Sequence, residues 1–161
     1  MPNHCHNRVT IYGSGNDTDE TRAQIAKIKG IFEDEAIFTH FIPEPDWPNT
    51  PLHERDVHYG MKYGDKGELP VKEEDPWTRY VFKSTGITDQ RWYDWRLQNW
   101  DTKWDAYDVS VDDGDPDQLE VSFNTAWSPP EAVCHAMREL YPNLSISWFY
   151  DEPGCEIAGY L

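Results

Sequence analysis

Residues 104–141 constrain the fold more than any other part of the sequence. Over 104–111 the side chains alternate, which predicts a strand with Tyr107, Val109 and Val111 on one face and Trp104, Ala106 and Asp108 on the other. The run DDGDPD at 112–117 turns the chain. Leu119, Val121, Phe123, Thr125 and Trp127 then form the apolar side of a returning strand, so the two pair as a hairpin. SPPE follows at once, with Ser128 as N-cap, Pro129 at the first helical position and Glu131 at the third. The helix is expected to run to Tyr141 and to bury Val133, Ala136, Met137, Leu140 and Tyr141.

The rest of the chain supplies the partners that this hairpin and helix need. CHNRVTIY at 5–12 alternates as a strand, Val9 and Ile11 pointing one way and His4, His6, Arg8, Thr10 and Tyr12 the other. Asp17 with Glu20 resembles a capping box that opens a helix to about Phe32, burying Ile25, Ile28 and Phe32. AIFTHFI at 36–42 reads as a short strand ended by Pro43 and Pro45. From 43 to 89 no period holds, yet Trp47, Tyr59, Tyr63, Trp77, Tyr80 and Phe82 are too many aromatics for a disordered linker. Thr88 and Asp89 cap a short helix through Asn99, with Trp92, Trp95 and Asn99 on one side. LSISWFY and CEIAGYL read as two closing strands.

The resulting order is β α (short β, long insertion) β β α β β. It predicts a single α+β domain over 1–161: a ferredoxin-like βαββαβ antiparallel sheet with two helices on one face, an extra C-terminal edge strand and an irregular insertion at about 43–103. The other sheet face is left open to the insertion or to a partner.

Charge narrows the partners. The 161 residues carry 14 Lys and Arg against 30 Asp and Glu, a formal charge of −16. Such a field repels phosphate backbones and anionic lipid, so direct nucleic-acid binding is disfavoured and a basic partner is expected. A carboxylate-rich surface can also occupy the basic groove of a nucleic-acid-binding protein, although solubility accounts for the same composition. Cys5, Cys134 and Cys155 are odd in number and lack CxxC spacing, which fits a reducing, cytoplasmic setting. No signal-peptide pattern and no bilayer-length apolar run is present, so no membrane association is expected.

The candidate site is the aromatic stretch RWYDWRLQNWDTKWDAYDVSV at 91–111. Within it Trp100, Asp101, Thr102, Lys103, Trp104, Asp105 and Asp108 combine rings, one cation and carboxylates, as a groove for a protein or small ligand would require. Packing of the insertion against the sheet accounts for the same rings. His4 and His6 share a strand face but lack a third metal ligand at recognisable spacing, and His53 and His58 give a weaker signal. The DGDPD run lacks the glycine and glutamate of a calcium loop and reads as a turn. Cys134, in a helix beside core positions, reads as a small hydrophobe. No nucleotide-binding or hydrolase motif is present, no cofactor is expected, and the sequence leans away from an enzyme.

Three pieces, MPNHCHNRVTIYG, NWDTKWDAYDV and FNTAWSPPEAV followed by YPNLSISWFYDEPG, together resemble the YubB-like family of ferredoxin-like proteins of bacteriophages and conjugative plasmids. The resemblance implies the ferredoxin-like fold and a mobile-element origin, and it transfers no activity. The family's central motif commonly reads NWGTKW; here Asp101 replaces the glycine, while Trp100, Thr102, Lys103 and Trp104 match. The expected function is a non-catalytic accessory protein that binds and inhibits a host protein, for example as an anti-CRISPR inhibitor with a nucleic-acid-like acidic surface. Two alternatives stay open: a small-ligand binder or metal-dependent enzyme with a pocket at 92–104, and an RNA-binding domain using open-face aromatics such as Tyr12.

Overall fold

The structure, a computed structural model, describes residues 3–14, 18–53, 56, 65–74 and 78–161, with the backbone alone at position 113. The cap expected at Asp17, and Tyr59, Tyr63, Trp77 and His58 of the insertion, lie outside the described residues. The chain forms two compact units, one of Met1–Pro43 with Arg96–Leu161 and one of Glu44–Trp95.

In the first unit, β1 (His4–Gly13), β5 (Tyr107–Asp115), β6 (Gln118–Ala126), β7 (Leu144–Glu152) and β8 (Ile157–Tyr160) form one antiparallel sheet in the order β5-β6-β1-β7-β8. The helices α1 (Thr18–Phe32) and α3 (Glu131–Leu140) cover one face. This is the predicted βαββαβ arrangement with an added edge strand. The two-residue period of β1 explains the layering: Cys5, Asn7, Val9 and Ile11 are buried, while His4, His6, Arg8 and Tyr12 are exposed.

Aromatic side chains fill the core. The Phe123 ring meets Phe32, Phe38 and Trp148 at centroid distances of 5.7, 6.0 and 5.6 Å. A polar chain runs through the same layer: Trp148 Nε1 donates to Asn7 Oδ1 at 3.0 Å, Asn7 Nδ2 donates to Thr125 Oγ1 at 2.9 Å, and Thr125 Oγ1 donates to the Ser128 carbonyl at 2.7 Å. The buried indole N–H and amide are thereby satisfied.

Several expectations shift. The strand expected at 36–42 is a 3-10 turn at Phe38–His40, because buried Ile37, Phe38 and Phe41 recur at helical rather than alternating spacing. β5 begins at Tyr107, not at 104, and Asp108 adopts a positive φ of 53° where the register shifts between Tyr107 and Ser110. That bulge breaks the expected alternation. Tyr107 pairs with Asn124 and lies on the open face, whereas Val111 pairs with Val121 on the core side. The hairpin turn shrinks to Pro116 and Asp117, since Asp115 already pairs with Gln118. Trp127 follows the end of β6 at φ 71° and is 48% exposed, so it is not on the apolar side of the strand. On α3, Val133 and Met137 are buried as expected, as is Tyr141 just beyond the helix, while Leu140 is 55% exposed, Ala136 is half-buried and Cys134 joins the buried side.

The second unit is less irregular than its sequence suggests. β2 (Val71–Glu73), β3 (Arg79–Phe82) and β4 (Ile87–Thr88) make an antiparallel sheet in that order, and Leu52, Phe82 and Ile87 form a small apolar cluster. Its organising side chain is charged. Arg91, the first residue of α2 (Arg91–Asn99), is buried and makes a fork to Asp89, Nε to Oδ1 and Nη2 to Oδ2, both at 2.9 Å. Its remaining N–H groups donate to the carbonyls of Pro51, Thr50 and Trp47 at 3.1, 2.8 and 3.2 Å. The guanidinium also lies 5.2 Å from the centroids of both Trp47 and Phe82. A buried ion survives desolvation only when its donors are matched in this way. Trp92 and Trp95, expected on one side of α2, are both half-buried.

Candidate functional site

Most of the candidate stretch at 100–108 is framework. Trp100 is 1% exposed: its indole N–H donates to the Ile42 carbonyl at 3.1 Å and its ring meets Phe38 edge-on at 5.6 Å. Thr102 is fully buried and its hydroxyl bridges Ala126, donating to the carbonyl at 3.0 Å and accepting from the N–H at 3.3 Å. Neither offers a surface to a ligand. Asp105 accepts from the Phe38 and Ala106 backbone N–H groups at 3.0 and 2.7 Å, and the first of these caps the start of the 3-10 turn. Burial pushes its carboxyl above the usual range, against the lowering effect of those N–H groups.

Asp101 shows why a glycine-like position can hold an aspartate. Its backbone has φ 63°, a conformation that costs an ordinary L-residue about 1–2 kcal/mol and that aspartate tolerates better than most. Its carboxylate accepts from the Ala132 N–H at 2.8 Å, in the first turn of α3, and its carbonyl accepts from the Ser128 hydroxyl. Asp101 therefore supplies from 31 residues away the cap expected from Ser128. Such a cap contributes about 0.5–2 kcal/mol, which offsets the backbone strain.

Lys103, Trp104 and Asp108 keep partial access to solvent. The Lys103 ammonium sits 4.4 Å from the Trp104 ring centroid, Trp104 meets Tyr107 edge-on at 6.2 Å, and Asp108 accepts from Asn124 Nδ2 at 3.1 Å. From 104 to 137 the chain has no Lys or Arg and eight carboxylates: Asp105, Asp108, Asp112, Asp113, Asp115, Asp117, Glu120 and Glu131. Asp108, Asp112, Asp115, Asp117 and Glu120 are exposed along the β5–β6 hairpin. One is neutralised locally, since Arg22 forks onto Asp117 at 2.6 and 2.9 Å and holds that carboxyl below its usual range.

The two histidines of β1 are engaged and the two buried thiols are inert. His4 Nδ1 lies 2.5 Å from the Tyr107 hydroxyl and His6 Nδ1 lies 2.6 Å from Asn124 Oδ1. Among the described residues no three His, Cys, Asp or Glu side chains converge as a metal site would require. Burial pushes the Cys5 and Cys134 thiols up to about 11, far from thiolate reactivity.

Cross-strand pairing also builds an ordered grid on the open face. One row reads Ser110, Ser122, Arg8, Phe149, Tyr160 across all five strands, and the next reads Tyr107, Asn124, His6, Asp151, Ala158. A cavity of about 280 Å³ opens beside Arg8 and a second of about 330 Å³ opens on its other side. Sequence reading placed His6 and Arg8 on this face but could not foresee their neighbours from β6, β7 and β8.

Residues 99–161 match a family model described as the ferredoxin-like domain in Api92-like protein. The fold is ferredoxin-like. The crystal structure of a protein api92 from Yersinia pseudotuberculosis is similar, with a TM-score of 0.51 and 11% identity, over 99% of this chain and 93% of that one. At that identity the likeness shows the fold alone. No curated protein matches the chain. Among the described residues no helix is long and apolar enough to cross a membrane.

Proposed function

We propose that the chain is a non-catalytic accessory protein of a phage or plasmid that binds a basic surface of a host protein and inhibits it, an anti-defence role being the leading instance. The observation that carries this reading is the β5–β6 hairpin, an exposed ridge of carboxylates within a 34-residue span free of Lys and Arg. Its edge strand is bulged at Asp108 and again between Asp112 and Asp115, so it resists pairing with another strand and presents side chains instead. Rigidly spaced carboxylates can face a groove lined with Lys and Arg as nucleic-acid phosphates do. The motif resemblance to YubB-like proteins supplies the mobile-element context.

The test compares the native chain with Asp112→Asn/Asp115→Asn/Glu120→Gln as bait in host lysate at about 0.05 M and about 0.5 M salt. The expected result is a basic partner held by the native chain at low salt, released at high salt and not held by the variant. Equal retention by both baits would remove the hairpin from the function.

A further inference from the structure

We infer that the open sheet face carries a binding site for a zwitterionic small molecule, an α-amino acid with an aromatic side chain, in the cavity between Arg8 and Asp151. This goes beyond the proposed function, because it uses a different surface and holds whether or not the acidic hairpin engages a protein.

The cavity of about 280 Å³ is lined by His6, Arg8, Ser122, Phe149 and Asp151, together with Asn7. Its two charges are unspent. Among the described residues, neither the Arg8 guanidinium nor the Asp151 carboxylate makes a hydrogen bond or ion pair, although the chain carries more than twice as many acidic as basic residues. Arg8 pairs in register with Phe149, and Asp151 lies two residues further along β7, a diagonal neighbour at about 7–8 Å between backbones. That spacing is too wide for backbone contact but suits a molecule inserted between the two heads by hydrogen bonds of about 2.8 Å at each end.

The hydrogen-bonding groups are sorted by sign. Arg8 and the Ser122 hydroxyl provide donors on one side. Asp151 provides acceptors on the other, beside His6, whose Nδ1 is committed to Asn124 Oδ1 and whose Nε2 is left to a ligand. A ligand with an anionic and a cationic group on one carbon meets both sets. Its side chain then lies toward Phe149, whose ring is held edge-on to Tyr160 at 5.2 Å.

The global field selects among ligands that could use the same groups. At −16 the protein repels polyanions, and a single arginine does not offset that; a zwitterion has no net charge and is not penalised. The volume is at the lower end of small-molecule sites and suits one residue-sized ligand rather than a chain.

The experiment titrates L-phenylalanine and L-tyrosine into the ¹⁵N-labelled full chain up to about 10 mM, beside 3-phenylpropionate, phenethylamine and adenosine monophosphate. The expected result is saturable shifts of β1, β6 and β7 amides with the amino acids. The two ligands missing one charge should bind about tenfold or more weakly, as should native ligands to Arg8→Gln and Asp151→Asn. Both side chains are solvent-accessible, so unchanged melting of the two variants separates lost binding from lost fold. The inference is overturned by no saturation with either amino acid, by unchanged affinity in Arg8→Gln, or by tighter binding of the nucleotide at the same residues.

Discussion

The two units solve the problem of a stable interior in opposite ways. The unit of Met1–Pro43 with Arg96–Leu161 buries a continuous layer of aliphatic and aromatic side chains from β1, β6, β7 and two helices, and its polar groups, such as Asn7, are guests in that layer. The unit of Glu44–Trp95 has a short sheet and a small apolar cluster, and a charged side chain, Arg91, gathers three carbonyls, two carboxylates (Asp89 and, at 3.7 Å, Asp56) and two rings. Apolar burial is additive and non-directional, so an apolar interior tolerates graded loss. A buried ion depends on all its partners together, so the smaller unit should fail abruptly.

The sharpest break of this contrast is Arg91→Ala, which leaves Asp89 buried and unpaired. It should cost about 3–5 kcal/mol, read as lost hydrogen-exchange protection in β2 to β4, and Asp89→Leu/Arg91→Met should recover much of it. Protection unchanged in Arg91→Ala would mean that the unit is held by its apolar cluster after all. Conservative changes sharpen the same point. Arg91→Lys gives up the fork and most carbonyl bonds and should cost more than Phe123→Leu, which should stay under about 1.5 kcal/mol by denaturant unfolding.

Within the larger unit, Asn7→Ala should cost about 1–3 kcal/mol, since the Trp148 N–H loses its acceptor and the Thr125 hydroxyl loses one of its two partners. Asp101→Gly keeps the backbone conformation and loses only the cap, about 1 kcal/mol, whereas Asp101→Ala loses the cap and strains the backbone. Equal stability of the two variants would show that the positive φ is not costly here.

The smallest effect is a pH slope. Burial raises the Asp105 carboxyl, so the folded state holds that proton more tightly than the unfolded chain. Its contribution therefore favours the fold at low pH and diminishes as pH rises from the ordinary aspartate range through the raised value. Asp105→Asn should flatten that part of the stability profile, above the ordinary aspartate range, measured as the difference from the native chain.

What could be read from the sequence was whatever depends on neighbours along the chain. Alternation in β1 and β6 set their faces, SPPE announced α3, and the charge was plain from composition. The candidate site was less legible. Trp100 and Thr102 had the residue types of a binding surface, but whether they line a groove or a core depends on Phe38, Ile42 and Ala126, which periodicity does not locate. Asp101 looked like an anomaly until the N-terminus of α3 arrived beside it. A one-residue bulge at Asp108 was enough to send Tyr107 to the opposite face. By itself, then, the sequence determined the charge and the elements of the larger sheet with their order, but not β2 to β4 or the 3-10 turn at Phe38–His40. The tertiary structure decided that Arg91 is buried, that Asp101 is a cap, and that Arg8 and Asp151 face one cavity. Those outcomes rest on groups 31 to 143 residues apart or on the pairing of separate strands, where hydrogen bonds and desolvation, not local pattern, set the energy.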